Sequence, residues 1–480
     1  MNTNTPLLTD LYQLTMAAAY HASGRSEQEA VFHLFFRSLP FKGGYAVAAG
    51  LGSAGEWLKG FRFEAEDIDY LATLKDAEGG PLFKTAFLGY LRGLRLTISV
   101  DAMPEGTLVF PHQPLLRITG PILQCQLIES ALLNIINFQT LIATKAARVC
   151  QAAQGEPVLE MGLRRAQGPD GALAASRAAH IGGCATTSNV LAGKAFGIPV
   201  KGTHAHSWVM SFETELEAFE QYAAALPGNC TFLVDTYDTL EGVRNAVKVG
   251  QKLRDSGHRL LGIRLDSGDL AWLSQQARTI LDEGGFPDAA IVASNDLDEN
   301  LIESLKHQGA RISVWGVGTR LVTGGEQAAL GGVYKLAAVK DDAGNWQPRI
   351  KLSEQVIKVS TPGLQQVRRF RRDGLFLADA VYDAEHVCPE PCEIVDPAEI
   401  LRHTTIPAGT GHEDLLQPLF RDGELVGALP PLADSRARCI EQLSGLNATI
   451  KRLDNPHNYP AGLEAGLHQK KLNLVRKARP

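Results

Sequence analysis

From Pro157 onward the chain keeps one rhythm, and that rhythm limits the fold more than any other feature. Short apolar runs recur at 157–162, 197–201, 231–235, 261–266, 289–294, 312–316 and 333–338. Helical spacing of apolar residues lies between most of them: Leu240, Val243, Val247 and Leu253, then Leu270, Leu273, Ile280 and Leu281, then Leu301, Ile302 and Leu305. Strand–helix alternation of this kind implies parallel strands joined by right-handed crossovers. About seven such units fit a closed or nearly closed barrel better than an open sheet, although a doubly wound sheet gives the same alternation. Residues that follow the strands then share one mouth, where α/β enzymes keep their chemistry.

The flanking sequence has a different pattern. Asp10 precedes a helical run through Leu11, Leu14, Ala18 and Ala19. Residues 29–38 read as a strand, 45–59, 67–74 and 83–91 as helices, and 96–118 as short strands broken by prolines and Gly106. A long amphipathic helix follows Pro121. After Lys340 come charged short strands and turns, including the basic run 368–372. The expected class is α/β: an N-terminal α+β domain over 1–153 ending in the long connecting helix, an irregular (β/α) barrel over 154–340, and a C-terminal α+β segment over 341–480 packed on the N-terminal domain.

Composition excludes several partners. With 47 Lys+Arg against 53 Asp+Glu there is no global attraction to nucleic acid or an anionic membrane. The longest apolar stretch is interrupted by Gln124, Gln126, Glu129, Ser130, Asn134 and Asn137, too polar to cross a bilayer. Residues 1–10 lack the basic and apolar regions of a secretory signal. Seven scattered cysteines suit a reducing compartment, so a cytoplasmic location is expected.

The strand ends carry the informative residues. The first is followed by Arg164-Arg165 in a glycine-flanked turn, a pair of planar forks able to grip carboxylate or phosphate. The second opens into Gly202-Thr203-His204-Ala205-His206-Ser207. The third ends in Asp235-Thr236-Tyr237-Asp238, where Asp235 can orient an imidazole and Asp238 suits a helix cap. The fourth gives Arg264-Leu265-Asp266-Ser267-Gly268-Asp269, a carboxylate pair fit for ribose hydroxyls or hydrated Mg²⁺. Capping explains Asp269 alone, but not Asp266 and Arg264 together. Ser294-Asn295-Asp296 ends the fifth strand. Gly316-Val317-Gly318-Thr319 ends the sixth, with Gly324-Gly325 soon after; these glycines either admit a phosphate to the backbone or serve a turn with positive φ. Together the groups suit a phosphorylated sugar bearing more than one anionic group.

Over essentially its whole length the chain resembles the nicotinate phosphoribosyltransferase family. The matching stretches are Thr9-Asp10-Leu11-Tyr12-Gln13-Leu14-Thr15-Met16, the run from Gly162 to Gly171, Gly202-Thr203 with Ala205-His206-Ser207, Leu265 to Asp269, and Gly316 to Thr319. The resemblance implies a type II phosphoribosyltransferase fold and a homodimer with shared active sites. It implies ATP-dependent formation of nicotinate mononucleotide from nicotinate and phosphoribosyl pyrophosphate, with ATP as co-substrate and Mg²⁺ as cofactor. By matching position, His206 is the histidine that ATP phosphorylates and Tyr12 stacks on the pyridine ring. Thr203 and Arg264 contact nicotinate. Arg164 and Arg165 serve the carboxylate or pyrophosphate end, Asp266 and Asp269 the ribose and Mg²⁺, and Gly318 and Thr319 the 5-phosphate; Ser294, from its place at a strand end alone, offers a cap or a hydroxyl or phosphate contact. Met161 departs from the family, which usually carries Phe there; its sulfur can still contact a ring.

Three rivals remain at this stage. A nicotinamide phosphoribosyltransferase is the nearest, against which stand Arg164, Arg165 and His204 after Gly-Thr. The second is a silent nucleotide-binding protein on the same fold, which intact His206, Asp266 and Asp269 oppose. The third is a metal site at His386, Cys388 and Cys392, disfavoured because zinc wants four ligands.

Overall fold

The structure is a computed structural model and describes residues 5–355 and 358–479. The chain forms two compact units, one from Met1–Leu141 with Ala329–Pro480, the other from Ile142–Ala328.

The second unit is built on a six-stranded sheet in which every pairing is parallel. In spatial order the strands are Thr186–Thr187, Val158–Glu160, Val314–Val317, Ala290–Ala293, Gly262–Leu265 and Thr231–Leu233. Phe232, Leu233, Ile263, Leu265, Ala293, Trp315 and Val317 are fully buried, as strands covered on both faces require. Helices Thr239–Asp255, Leu270–Glu283 and Glu299–His307 follow successive strands. Each begins at an aspartate whose carboxylate accepts an N–H three residues on: Asp238 from Glu241, Asp269 from Trp272 and Asp298 from Leu301. These caps fix where the chain turns, so the carboxyl edge of the sheet becomes a rim of helix starts.

Two expected strands fail here. The run 333–338 belongs to the strand Gly332–Lys340, which pairs antiparallel with Glu29–Phe36 in the first unit. Residues 318–331 hold only the four-residue helix Thr319–Val322, too little to cover a parallel crossover. The run 197–201 contributes one isolated parallel bridge, Val200 to Thr187. Gly197 closes the helix Val190–Phe196 with φ 71°, and Pro199 has no N–H to give a ladder.

The first unit contains a seven-stranded antiparallel sheet, ordered Trp346–Pro348, Gly332–Lys340, Glu29–Phe36, Leu116–Pro121, Ser99–Ala102, Gln417–Arg421, Glu424–Leu425. A second, six-stranded sheet runs His403–Ile406, Cys392–Val395, Ala461–Glu464, Leu375–Asp383, Gln365–Arg372, Gly411–Asp414. Leu34, Phe36, Leu91, Ile98 and Ile118 anchor its main core. The expected long helix is two, Ile122–Leu127 and Glu129–Ala152, broken at buried Ile128. Among the described residues no helix is long and apolar enough to cross a membrane.

Candidate active site

The site lies at the carboxyl edge of the parallel sheet, and the two histidines after Thr203 have opposite fates there. His204 points inward. Its ring packs against Phe219, Tyr222 and Phe232, and its Nε2 accepts the backbone N–H of Leu233 at 3.3 Å. Burial pushes its pKa down to about 4, and Arg264 and His206 push the same way against a bond to the Ala205 carbonyl. It is therefore a neutral pin fastening the loop to strand Thr231–Leu233. His206, two residues on, begins the helix His206–Met210 and stays half-exposed. Its Nδ1 lies 3.1 Å from the Thr236 hydroxyl and its Nε2 4.0 Å from Asp266 Oδ2.

Asp235, expected as an imidazole partner, has another task. Its Oδ2 accepts the Asp266 N–H at 2.9 Å and the Ser267 hydroxyl at 2.7 Å, tying two neighbouring strand ends together. Asp235 is the stronger acceptor, yet the backbone turn delivers its neighbour Thr236 to the ring. Asp266 also accepts the Ser294 hydroxyl from the next strand end. Arg264, one residue before Leu265 in the same strand, donates through Nη1 to Thr203. Burial lowers the pKa of this guanidinium and Arg164 adds to the effect, while Asp266 and Asp235 raise it. Arg264 Nε and Asp235 Oδ1 are buried without a hydrogen-bond partner. Such unmet groups are rare in protein interiors, and these two lie at the same sheet edge.

Glu160 was missed from the sequence. It ends strand Val158–Glu160, is buried, and accepts from Gly162 N–H, Ser176 Oγ and Thr187 Oγ1. A lone strand-end glutamate gives little signal, because its three donors come from distant positions. The turn it fastens carries Arg164 and Arg165 in the short helical turn Leu163–Arg165, both exposed and without a carboxylate partner among the described residues. The glycines opposite are there for space. A Cβ on Gly162 would lie 2.1 Å from Val322 Cγ1, and one on Gly316 2.7 Å from Met161 Sδ. Neither Gly316 nor Gly318 has positive φ, so the turn explanation fails for them. Strain sits at the next strand end instead: Asn295 and Asp296 have φ 99° and 40°.

The second unit thus brings His206, Asp266, Ser294, Arg264 and Thr203 into one connected set, with Arg164 close enough to act on Arg264. At the same sheet edge Arg165 ends the short helical turn Leu163–Arg165, and Gly318 and Thr319 open the helix Thr319–Val322. Asp269 is exposed and caps Leu270–Glu283. Tyr12 belongs to the first unit, half-exposed on helix Leu11–Ala22. His204, offered as a sign of a carboxylate substrate, faces an aromatic cluster and carries no such information. Cys388 and Cys392 face each other at 3.8 Å in a small core while His386 is exposed. Among the described residues no group of three or more His, Cys, Asp or Glu is arranged to hold a metal ion.

Comparison with known proteins agrees along the full chain. Residues 7–137 match the nicotinate phosphoribosyltransferase N-terminal domain, 157–358 the nicotinate phosphoribosyltransferase family, and 365–471 its C-terminal domain. The nicotinate phosphoribosyltransferase of Bacillus subtilis (strain 168) is 44% identical over 98% of this chain and 96% of its own. That of Homo sapiens is 37% identical over 96% and 95%. The crystal structure of human nicotinic acid phosphoribosyltransferase superposes with a TM-score of 0.84 at 34% identity, covering 97% of this chain and 99% of that one. Full-length likeness at this level, on a sheet edge holding His206, Asp266 and Arg264, means that the chain belongs to the nicotinate phosphoribosyltransferase family.

Proposed function

We propose that the enzyme joins nicotinate to phosphoribosyl pyrophosphate, yielding nicotinate mononucleotide and pyrophosphate, and couples this step of NAD salvage to ATP through a phosphohistidine at His206. The observation that carries the reading is the half-exposed His206 ring 4.0 Å from Asp266, beside the Arg264–Thr203 pair. In the main reaction the pyridine nitrogen lone pair attacks the anomeric carbon, and the carbon–oxygen bond to pyrophosphate breaks with its electrons leaving on oxygen. Positive charge develops on the ribose, so carboxylates such as Asp266 stabilise the transition state and no general base is required. Arg264, with its unpartnered Nε, and Thr203 suit the nicotinate carboxylate, which favours nicotinate over nicotinamide. Arg164 and Arg165 suit the leaving pyrophosphate; Gly318, Thr319 and Ser294 suit the phosphate and hydroxyls of the sugar. Tyr12 of the partner subunit would cover the pyridine ring in a homodimer.

In the coupling reaction an imidazole nitrogen attacks the γ-phosphorus of ATP, and the bridging P–O bond breaks with its electrons leaving on ADP. Water later releases the phosphate as inorganic phosphate. Mg²⁺ fits the donor set as a substrate-borne ion: it is usually held by one or two carboxylates plus phosphate oxygens, and Asp266 is the carboxylate at hand. It would supply charge neutralisation on the polyphosphates. A cytoplasmic setting, where the cysteines stay reduced, belongs to the same proposal.

The test is synthesis of nicotinate mononucleotide from nicotinate and phosphoribosyl pyrophosphate, with and without ATP. His206→Ala should abolish the stimulation by ATP and leave slower synthesis. Stimulation that survives in His206→Ala counts against the phosphohistidine, and equal turnover of nicotinamide counts against the carboxylate contact.

A further inference from the structure

We propose that Thr236 is a positioning residue for phosphoryl transfer to His206: its hydroxyl fixes the plane of the imidazole ring. The inference rests on the phosphohistidine reading above.

Little else bonds to the ring. His206 is the first residue of a five-residue helix, so no preceding helical turn packs against its side chain. Among the described residues its ring has two polar contacts: Thr236 Oγ1 at 3.1 Å from Nδ1, and Asp266 Oδ2 at 4.0 Å from Nε2. The second is beyond hydrogen-bond range, so the first is the sole directional bond on the ring. Thr236 makes no other side-chain hydrogen bond among the described residues.

The anchor itself is firm. Strand Thr231–Leu233 ends just before it, Val234 N–H donates to the Arg264 carbonyl, and Asp235 is locked onto Asp266 and Ser267. Asp238 then caps the following helix. Thr236 is thus clamped from both sides, and the loop bearing His206 is pinned to the same strand by His204 on Leu233. The backbone separation of Thr236 and His206 is therefore set by the sheet, and the hydroxyl decides how the ring is turned. A nucleophile must present its lone pair in line with the breaking P–O bond, and small misplacements are costly in rate. The step itself is unchanged in its chemistry: nitrogen to phosphorus forms, phosphorus to the ADP oxygen breaks, and the electron pair leaves with ADP.

The full-length enzyme is incubated with ATP labelled at the γ-phosphate, and acid-labile phosphate on the protein is timed. The ratio of ATP-stimulated to ATP-independent synthesis is read alongside, with His206→Ala as unlabelled background and thermal unfolding as a folding control. Thr236→Val keeps the shape and removes the oxygen; labelling should slow by about tenfold, the equivalent of one hydrogen bond, and the ratio should fall toward one. Thr236→Ser should restore labelling to within about threefold of the parent, which a purely space-filling role would not give. Wild-type labelling in Thr236→Val overturns the proposal, as does failure of Thr236→Ser equal to that of Thr236→Val in folded protein. An unlabelled parent enzyme overturns the phosphohistidine reading itself, and the role of Thr236 with it.

Discussion

Each unit holds an arginine beside aspartate, and the two are completed to different degrees. In the first unit Arg369 and Asp379 are fully buried. Arg369 reaches Asp379 at 2.9 and 2.7 Å, Gln442 at 2.7 Å and the Leu108 carbonyl at 2.7 Å. Asp379 also accepts from Gln113 and Tyr459, each at 2.8 Å. Burial opposes the charge on Arg369, yet Asp379 overcomes it and the pKa is raised. In the second unit Arg264 keeps one unmet donor, Asp235 one unmet acceptor, and Asp266 stays 40% exposed. A buried network in which every nitrogen of the arginine is bonded has room for nothing else. One left incomplete at a sheet edge still has donors and acceptors to offer.

That contrast can be broken most forcefully at the arginines. Arg369→Ala leaves Asp379 buried and unpaired and should cost about 3–5 kcal/mol of stability, read by denaturant unfolding. Arg264→Ala should lower kcat/KM for nicotinate by about 100- to 1,000-fold while shifting the unfolding midpoint far less. Equal loss of stability in both would erase the distinction. A smaller effect comes from acid. Burial pushes His204 and His112 down to about 4, with Lys471 and Arg37 adding to the shift at His112. Between pH 6.5 and 4 the unfolded chain binds more protons at these sites than the folded one. Their contribution is thus full above pH 6.5 and is lost as pH falls, up to about 3 kcal/mol for His112 and less for His204. His204→Phe should flatten part of that slope in urea titrations taken across this range. The smallest effect concerns strain: Asn295→Ala should cost about 1 kcal/mol, because alanine tolerates positive φ poorly, whereas Asn295→Gly should be nearly neutral.

Five strands of the parallel sheet were readable because each is an apolar run closed by punctuating residues, and three lead into a capping aspartate. The run at 333–338 looks the same locally, and only its antiparallel partner, Glu29–Phe36, about three hundred residues away, decides its sheet. The site was legible as residue types at strand ends. Orientation was not: His204 and His206 share a motif yet face opposite ways, and Asp235 gave the imidazole to Thr236. Glu160 stayed invisible because burial made it important, and burial depends on Ser176 and Thr187 arriving from elsewhere.

The fastening of the 162–165 turn from beneath has a consequence for how the enzyme meets its substrates. Since Glu160 takes its bonds from a backbone N–H and two hydroxyls, neither Arg164 nor Arg165 is needed to hold the turn. Their positive charge stays uncommitted and projects into solvent, where it draws polyphosphates over roughly a Debye length, about 8 Å at physiological ionic strength. Capture should therefore slow as salt is added, while the fully buried pair of the other unit remains indifferent to it.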